Sequence, residues 1–185
     1  MISKRILIVT IVGFLMLSGL SAQQLSLEDM LLEPSALLQD ELGTGSNAVY
    51  QKTEGSGNTI NMNQLQQNGQ QLNLVRTLQV GNDNDAFLEQ IGAGNQLVLI
   101  QKGTSNVYSI VQEGINNKTV AIQNGTNNVI TQELMNANGV YSEFIQNGNG
   151  NEIIHITNGF VEQNFIIRQN GDGLKATVIQ SNGGN

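Results

Sequence analysis

The chain has no cysteine, so disulfides and thiolate metal sites are both excluded, and the redox state of its compartment cannot be read from its thiols. Proline occurs once, at Pro34, which leaves every later segment free to form uninterrupted strands. Aromatic residues make up 4% and charged residues 12%, both low for a globular domain, so a conventional core would be short of large side chains. Basic residues are also scarce: the net charge is -7, which gives no electrostatic reason to expect a nucleic acid or an anionic lipid surface as partner.

Carboxamides fill the gap. Asn, Gln and Gly together exceed a third of the 185 residues, and such polar groups need hydrogen-bond partners wherever they are buried. They also keep time. The unit Gln-x-Gly-x-x-Asn recurs at Gln79-Gly81-Asn84, Gln90-Gly92-Asn95, Gln101-Gly103-Asn106, Gln112-Gly114-Asn117 and Gln123-Gly125-Asn128, and again at Gln146-Gly148-Asn151. Weaker copies start at Thr53, Gln67, Leu134, Thr157 and Gln169, the Leu134 copy reading as Leu134-Asn136 and the Thr157 copy as Thr157-Gly159-Asn164.

The intervening residues, such as Gln96-Leu97-Val98-Leu99-Ile100, are rich in β-branched and aliphatic types and read as strands. A glycine fixed in each turn points to a backbone angle with positive φ. The eleven-residue unit then divides into a seven-residue strand and a four-residue turn, and two units make one rung of a β-solenoid. The expected fold is all-β, with about twelve strands in five or six two-stranded rungs over residues 47–185. Strand alternation puts Asn95, Leu97, Leu99 and Gln101 on one face and Asn106, Tyr108, Ile110 and Gln112 on the equivalent face of the next strand. Placed inward at the corners, each amide can bond its counterparts one rung above and below and tie down turn backbone groups, so the clock enforces register.

Several outward positions are large and apolar: Val98 with Ile100, Val120 with Ile122, and Ile154 with Ile156. Either those faces pair laterally, or the facing inverts there, which would expose the Asn and Gln clock. His155 has inward parity and reads as a core histidine, since no second ligand lies at a metal-site spacing. The acidic residues are scattered through turns and outward positions, with Asp83 and Asp85 as candidate gatekeepers against premature stacking. No nucleophile, base and orienting group cluster and no phosphate loop is visible, so no enzyme activity, cofactor, metal or small-molecule substrate is expected.

The N-terminus speaks to compartment. Lys4 and Arg5 precede the apolar run 6–17 and the small-residue stretch 18–22, the layout of a secretory signal peptide over residues 1–22, with an uncleaved signal anchor as the alternative. Residues 23–46 lack the repeat and carry Ser26, Leu27, Met30 and Leu31 in helix-start spacing ahead of Pro34. They form a leader that acts as an export address or surface cap, or else an unstructured linker.

The repeat resembles the curlin repeat of the subunits that build curli, the bacterial extracellular amyloid. The likeness spans about residues 47–180 and departs from that family where Asn takes the place of a regular serine. It implies export through the periplasm and an outer-membrane pore, cell-surface fibres serving biofilm and adhesion, and partnership with itself, a fellow curlin subunit and the secretion machinery. The competing reading is a monomeric surface β-solenoid whose flat face binds ice, sugar or another protein.

Overall fold

The computed structural model describes residues 7–10, 47–66 and 71–182. They form an all-β solenoid in which every strand pairing is parallel. Twelve strands build the coil: β2 (Ala48–Glu54), β3 (Thr59–Gln66), β4 (Leu74–Asn82), β5 (Asp85–Ala93), β6 (Gln96–Thr104), β7 (Val107–Ile115), β8 (Lys118–Thr126), β9 (Val129–Asn138), β10 (Tyr141–Asn149), β11 (Glu152–Asn158), β12 (Asn164–Asn170) and β13 (Lys175–Ser181). Even-numbered strands stack in one sheet, here sheet A, and odd-numbered strands from β3 to β13 in the other, sheet B. Each successive pair is one rung, giving six, in line with the expected five or six.

Sheet A carries one further strand. β1 (Leu7–Thr10) pairs in parallel with β2, although it falls inside the segment expected to be a signal peptide and excluded from the fold. The leader 23–46 and the Gln67-Gly69 copy of the repeat lie outside the described residues.

The strands are longer than the seven-plus-four division. β6, β7 and β8 each run nine residues, through the glycine, and only two residues separate one strand from the next. The cause is the stacking itself. Each turn lies on an identical turn, so its backbone pairs with the rung beneath, as when Ser105 N–H donates to Asn82 C=O at 3.0 Å and Asn127 N–H to Thr104 C=O at 3.0 Å.

Between the sheets runs one apolar column system, with Leu97, Leu99, Tyr108, Ile110, Ala121, Ile130, Phe144 and Ile153 all sealed from water. Burial depends on neighbours. The inward row of sheet B reads Ile60, Ala86, Tyr108, Ile130, Ile153 and Ala176, and only its first and last members are partly exposed. A rung therefore completes its core only when covered on both sides, the general condition for repeat folds. Thr119 and Ala121 point inward while Val120 and Ile122 point outward, so the facing does not invert on β8.

Two of the weaker repeats sit in other registers than their spacing implied. In the Leu134 copy, Ala137 rather than Asn136 pairs with Gly114, because a bulge adds one residue to β9 and Asn136 takes a φ of 50°. In the Thr157 copy, Asn164 pairs with Tyr141, so Gln163 stands in the asparagine column instead.

Candidate functional site

Strand ends of sheet A and strand starts of sheet B meet at the first corner. Gln79, Gln101, Gln123, Gln146 and Gln169 stack there, each Nε2 donating to the Oε1 of the next at 2.8, 2.9, 3.0 and 2.9 Å. Every donor points toward the C-terminal end of the coil. The same nitrogens also reach backbone: Gln101 Nε2 donates to the carbonyls of Asp85 and Asn106, both at 3.1 Å, and so ties one sheet to the other. Asn84, Asn106, Asn128 and Asn151 stack beside them with the opposite sense. Asn106 donates both its backbone N–H and its Nδ2 to Asn84 Oδ1, at 3.1 and 3.0 Å, and its Nδ2 also to Gly125 C=O at 2.9 Å. Asn128 repeats the pattern on Asn106. All of these amides except Gln169 have no exposed surface, so within the stack their bonds stand in for water, the Oε1 of Gln79 at its start excepted.

The second corner starts the same way and ends differently. Gln64, Gln90 and Gln112 form a ladder at 2.8 and 2.9 Å, and Asn117 donates its backbone N–H and Nδ2 to Asn95 Oδ1 at 3.1 Å each. One rung on, Leu134 stands where glutamine is expected and Val140 where asparagine is expected. They pack with Ala137 and the partly buried Phe160 and Phe165. The glutamine ladder stops there: Gln112 lies directly against Leu134, and its Nε2 reaches only Thr119 Oγ1, at 3.5 Å. The last asparagine of this corner is closed off by backbone: Asn117 Nδ2 donates to Ala137 C=O at 2.7 Å and its Oδ1 accepts from Val140 N–H at 3.0 Å.

The turn glycines Gly81, Gly92, Gly103, Gly114, Gly125 and Gly148 have φ between 114° and 134°. A second left-handed position directly precedes the asparagine, held by Asp83, Ser105, Asn116 and Asn127 with φ of 54–57°. Its signal was present in the sequence, as Asp, Ser, Asn or Gly before each clock asparagine, the types that tolerate this angle. An outer asparagine row, Asn124, Asn147 and Asn170, was also not singled out; its members bond one another at 2.8 Å.

His155 lies inside the coil, its Nε2 2.9 Å from Thr157 Oγ1 and its ring 4.5 Å from that of Phe165. Burial pushes its pKa down from 6.5 to about 4. The unfolded chain takes up a proton near 6.5 that the folded chain refuses until about 4. Stability from this group is therefore full above the unfolded value, falls as pH drops between the two values, and levels off below the lower one, a loss of about 3 kcal/mol. His155→Gln, facing its stacked neighbour Gln132, should remove that component, seen as a smaller drop in urea midpoint between pH 7 and 4.5 than the native chain shows.

Among the described residues, no group of three His, Cys, Asp or Glu side chains is placed to hold a metal ion. The arrangement is one of register and edges. Among the described residues, no strand lies beyond β12 and β13 at the ends of the two sheets, and Ile166 and Ile179 there are exposed. At the other end, Oε1 of Gln64 and of Gln79, the first acceptors of the two glutamine ladders, are buried without a hydrogen-bond partner among the described residues.

A family model, the curlin associated repeat, matches residues 73–103, from the asparagine before β4 to the turn glycine of β6. No curated protein matches the chain, and no solved structure does.

Proposed function

We propose that this curlin-repeat protein is a secreted structural subunit whose copies stack end to end into extracellular curli-like fibres of the biofilm matrix. The observation that carries the reading is the pair of bare strands at the C-terminal end, set in register with an amide column. A second copy added there places its β3 on β13 and its β2 on β12. Its Gln64 then lies over Gln180, which occupies the glutamine column of sheet B, and the orphan Oε1 of Gln64 receives a donor. Loss of residues 1–22 at the expected cleavage site removes β1 and bares the β2 edge as well. Export through an outer-membrane pore, addressed by residues 23–46, and copolymerisation with a fellow curlin subunit complete this reading.

The chain from residue 23 onward, purified and left at micromolar concentration, is expected to bind thioflavin after a lag and to give fibres with the ~4.8 Å reflection of stacked strands. A soluble monomer that persists for days would leave the surface-binding solenoid as the better account.

Edge chemistry offers a narrower check. The backbones of Leu174 and Asn182 face β11, so alternation turns the N–H of Ile179 outward, toward the vacant edge. Ile179→Pro should therefore block elongation while leaving the urea midpoint of the monomer within about 1 kcal/mol of native stability. Elongation at the native rate would show that this edge is not the growing one.

A further inference from the structure

The outward rows of the two sheets differ in charge. Sheet A carries Lys52, Arg76, Lys102, Lys118 and Arg168 against Glu54 and Glu143, whereas sheet B carries Asp85, Glu89, Glu113, Glu133 and Glu152 against Lys175. Sheet A also presents an apolar outward column, Leu78, Ile100, Ile122 and Ile145. On β4 and β6 this face is closed to water within a single chain: Arg76 is 3% exposed, Leu78 6%, Val98 2% and Ile100 0%. Farther along, Val120, Ile122 and Ile145 are half-buried and Ile166 is exposed, so the closure is confined to one patch.

Arg76 makes the patch chemically specific. Its Nε and Nη1 are buried with no hydrogen-bond partner among the described residues, and its guanidinium carbon lies 5.8 Å from the centre of the Tyr50 ring. Burial lowers its pKa, and Tyr50 partly offsets that. A desolvated guanidinium with two free donors calls for an anion, and its neighbours call for apolar cover.

We propose that this patch is a docking surface for residues 23–46 of the same chain, with a carboxylate of that segment paired to Arg76. The segment carries Glu28, Asp29, Glu33, Asp40 and Glu41 and no lysine or arginine, interspersed with leucines that match Leu78, Val98 and Ile100. Other parts of the chain outside the described residues do not fit: residues 1–6 and 11–22 have no acidic side chain, and neither do residues 67–70 or 183–185. The segment joins the coil at Asn47, directly before β2, and β2 lies beside β4 in the same sheet. Docked there, the leader is withheld from an export partner until that partner competes for it. This concerns the single chain and stands apart from fibre formation.

The absence of native cysteine makes the test direct. In freshly prepared monomeric chain, a thiol introduced by Ile100→Cys should react with maleimide at least about tenfold more slowly than one introduced by Ile122→Cys. Replacing the five carboxylates of 23–46 by amides should bring the two rates together, while Ile110→Cys, inside the coil, stays protected. In a second measurement, Arg76→Lys treated with a zero-length carbodiimide should crosslink residue 76 to a carboxylate of 23–46, read by mass spectrometry of the monomer. Equal rates at Ile100→Cys and Ile122→Cys in the carboxylate-bearing chain would overturn the assignment. So would a crosslink that reaches only another copy, or protection that grows with protein concentration, since both mark a second molecule as the occupant. Should the carboxamide variant unfold and expose Ile110→Cys, the crosslink alone decides.

Discussion

Replacing Gln101 and Asn106 together by alanine is expected to destabilise the folded chain by about 4–6 kcal/mol, and to slow fibre growth far more than Lys102→Ala with Ser109→Ala. Neither amide has exposed surface, and both lie in the middle of the first corner, so no water can take their place. Removing Gln101 leaves Gln123 Oε1 without its donor, takes an acceptor from Gln79 Nε2, and removes the side-chain donor from the carbonyls of Asp85 and Asn106, the latter keeping only the Asp85 N–H. Removing the Asn106 side chain takes the Nδ2 donor from Gly125 C=O, leaves Asn84 Oδ1 with only the backbone N–H of residue 106, and takes Oδ1 away from both the backbone N–H and Nδ2 of Asn128. Several buried groups thus lose partners at about 1–3 kcal/mol each, less what the site recovers by collapsing. Lys102 and Ser109 are half-buried outward residues whose truncation strands no core amide. Ser105, although also outward, is a poor control, because its φ of 56° makes alanine there a test of backbone strain. Urea unfolding and thioflavin elongation rates measure the two effects. Equal losses from the two double variants would mean that the corner amides do not hold the stack.

Much of this arrangement was legible in the Gln and Asn spacing. Six residues separate Asn95 from Gln101, so a strand must point both the same way, and that parity alone placed Leu97 and Leu99 in the core. What a single chain's spacing could not carry were properties that arise between rungs. The opposed senses of the Gln and Asn ladders follow from which carbonyl lies within reach of each amide, and nothing in Gln101 or Asn106 taken singly encodes it. Strand ends ran past Gly103 because the turn below supplies partners that local propensity ignores. The apolar second corner was hidden by divergence: Leu134 and Val140 look like lost copies of the unit until their contact makes them one substitution in two parts. Val98 and Ile100 point outward as the alternation required, yet they are buried, since burial depends on what covers the sheet and not on its period.

Gly103→Ala should cost about 3–5 kcal/mol, and Gly150→Ala only about 1–2, although both glycines have positive φ. The difference lies in what a Cβ meets. At Gly150, with φ of 65°, no heavy atom lies within 4 Å of the added carbon, so only the backbone angle resists it. At Gly103, with φ of 114°, the added carbon would overlap the carbonyl oxygen of Gly125 in the next rung. That carbonyl is backbone and accepts from Asn106 Nδ2, so moving it loosens the asparagine ladder as well. The chain contains its own record of the accommodation required. Ala137 is the residue stacked against Gly114, and it is reached through the β9 bulge, with Asn136 in a left-handed conformation and one residue added to the repeat. The spacing from Gln123 to Gln146 is accordingly one residue longer than that from Gln101 to Gln123. A Cβ in this column is tolerated when the turn is rebuilt around it, and Gly103→Ala supplies the Cβ without the rebuilding. Urea midpoints of the two variants, compared at one pH above 7 so that His155 stays neutral in both states, give the answer. If Gly103→Ala is no more costly than Gly150→Ala, the close approach of successive turns is not what selects glycine there.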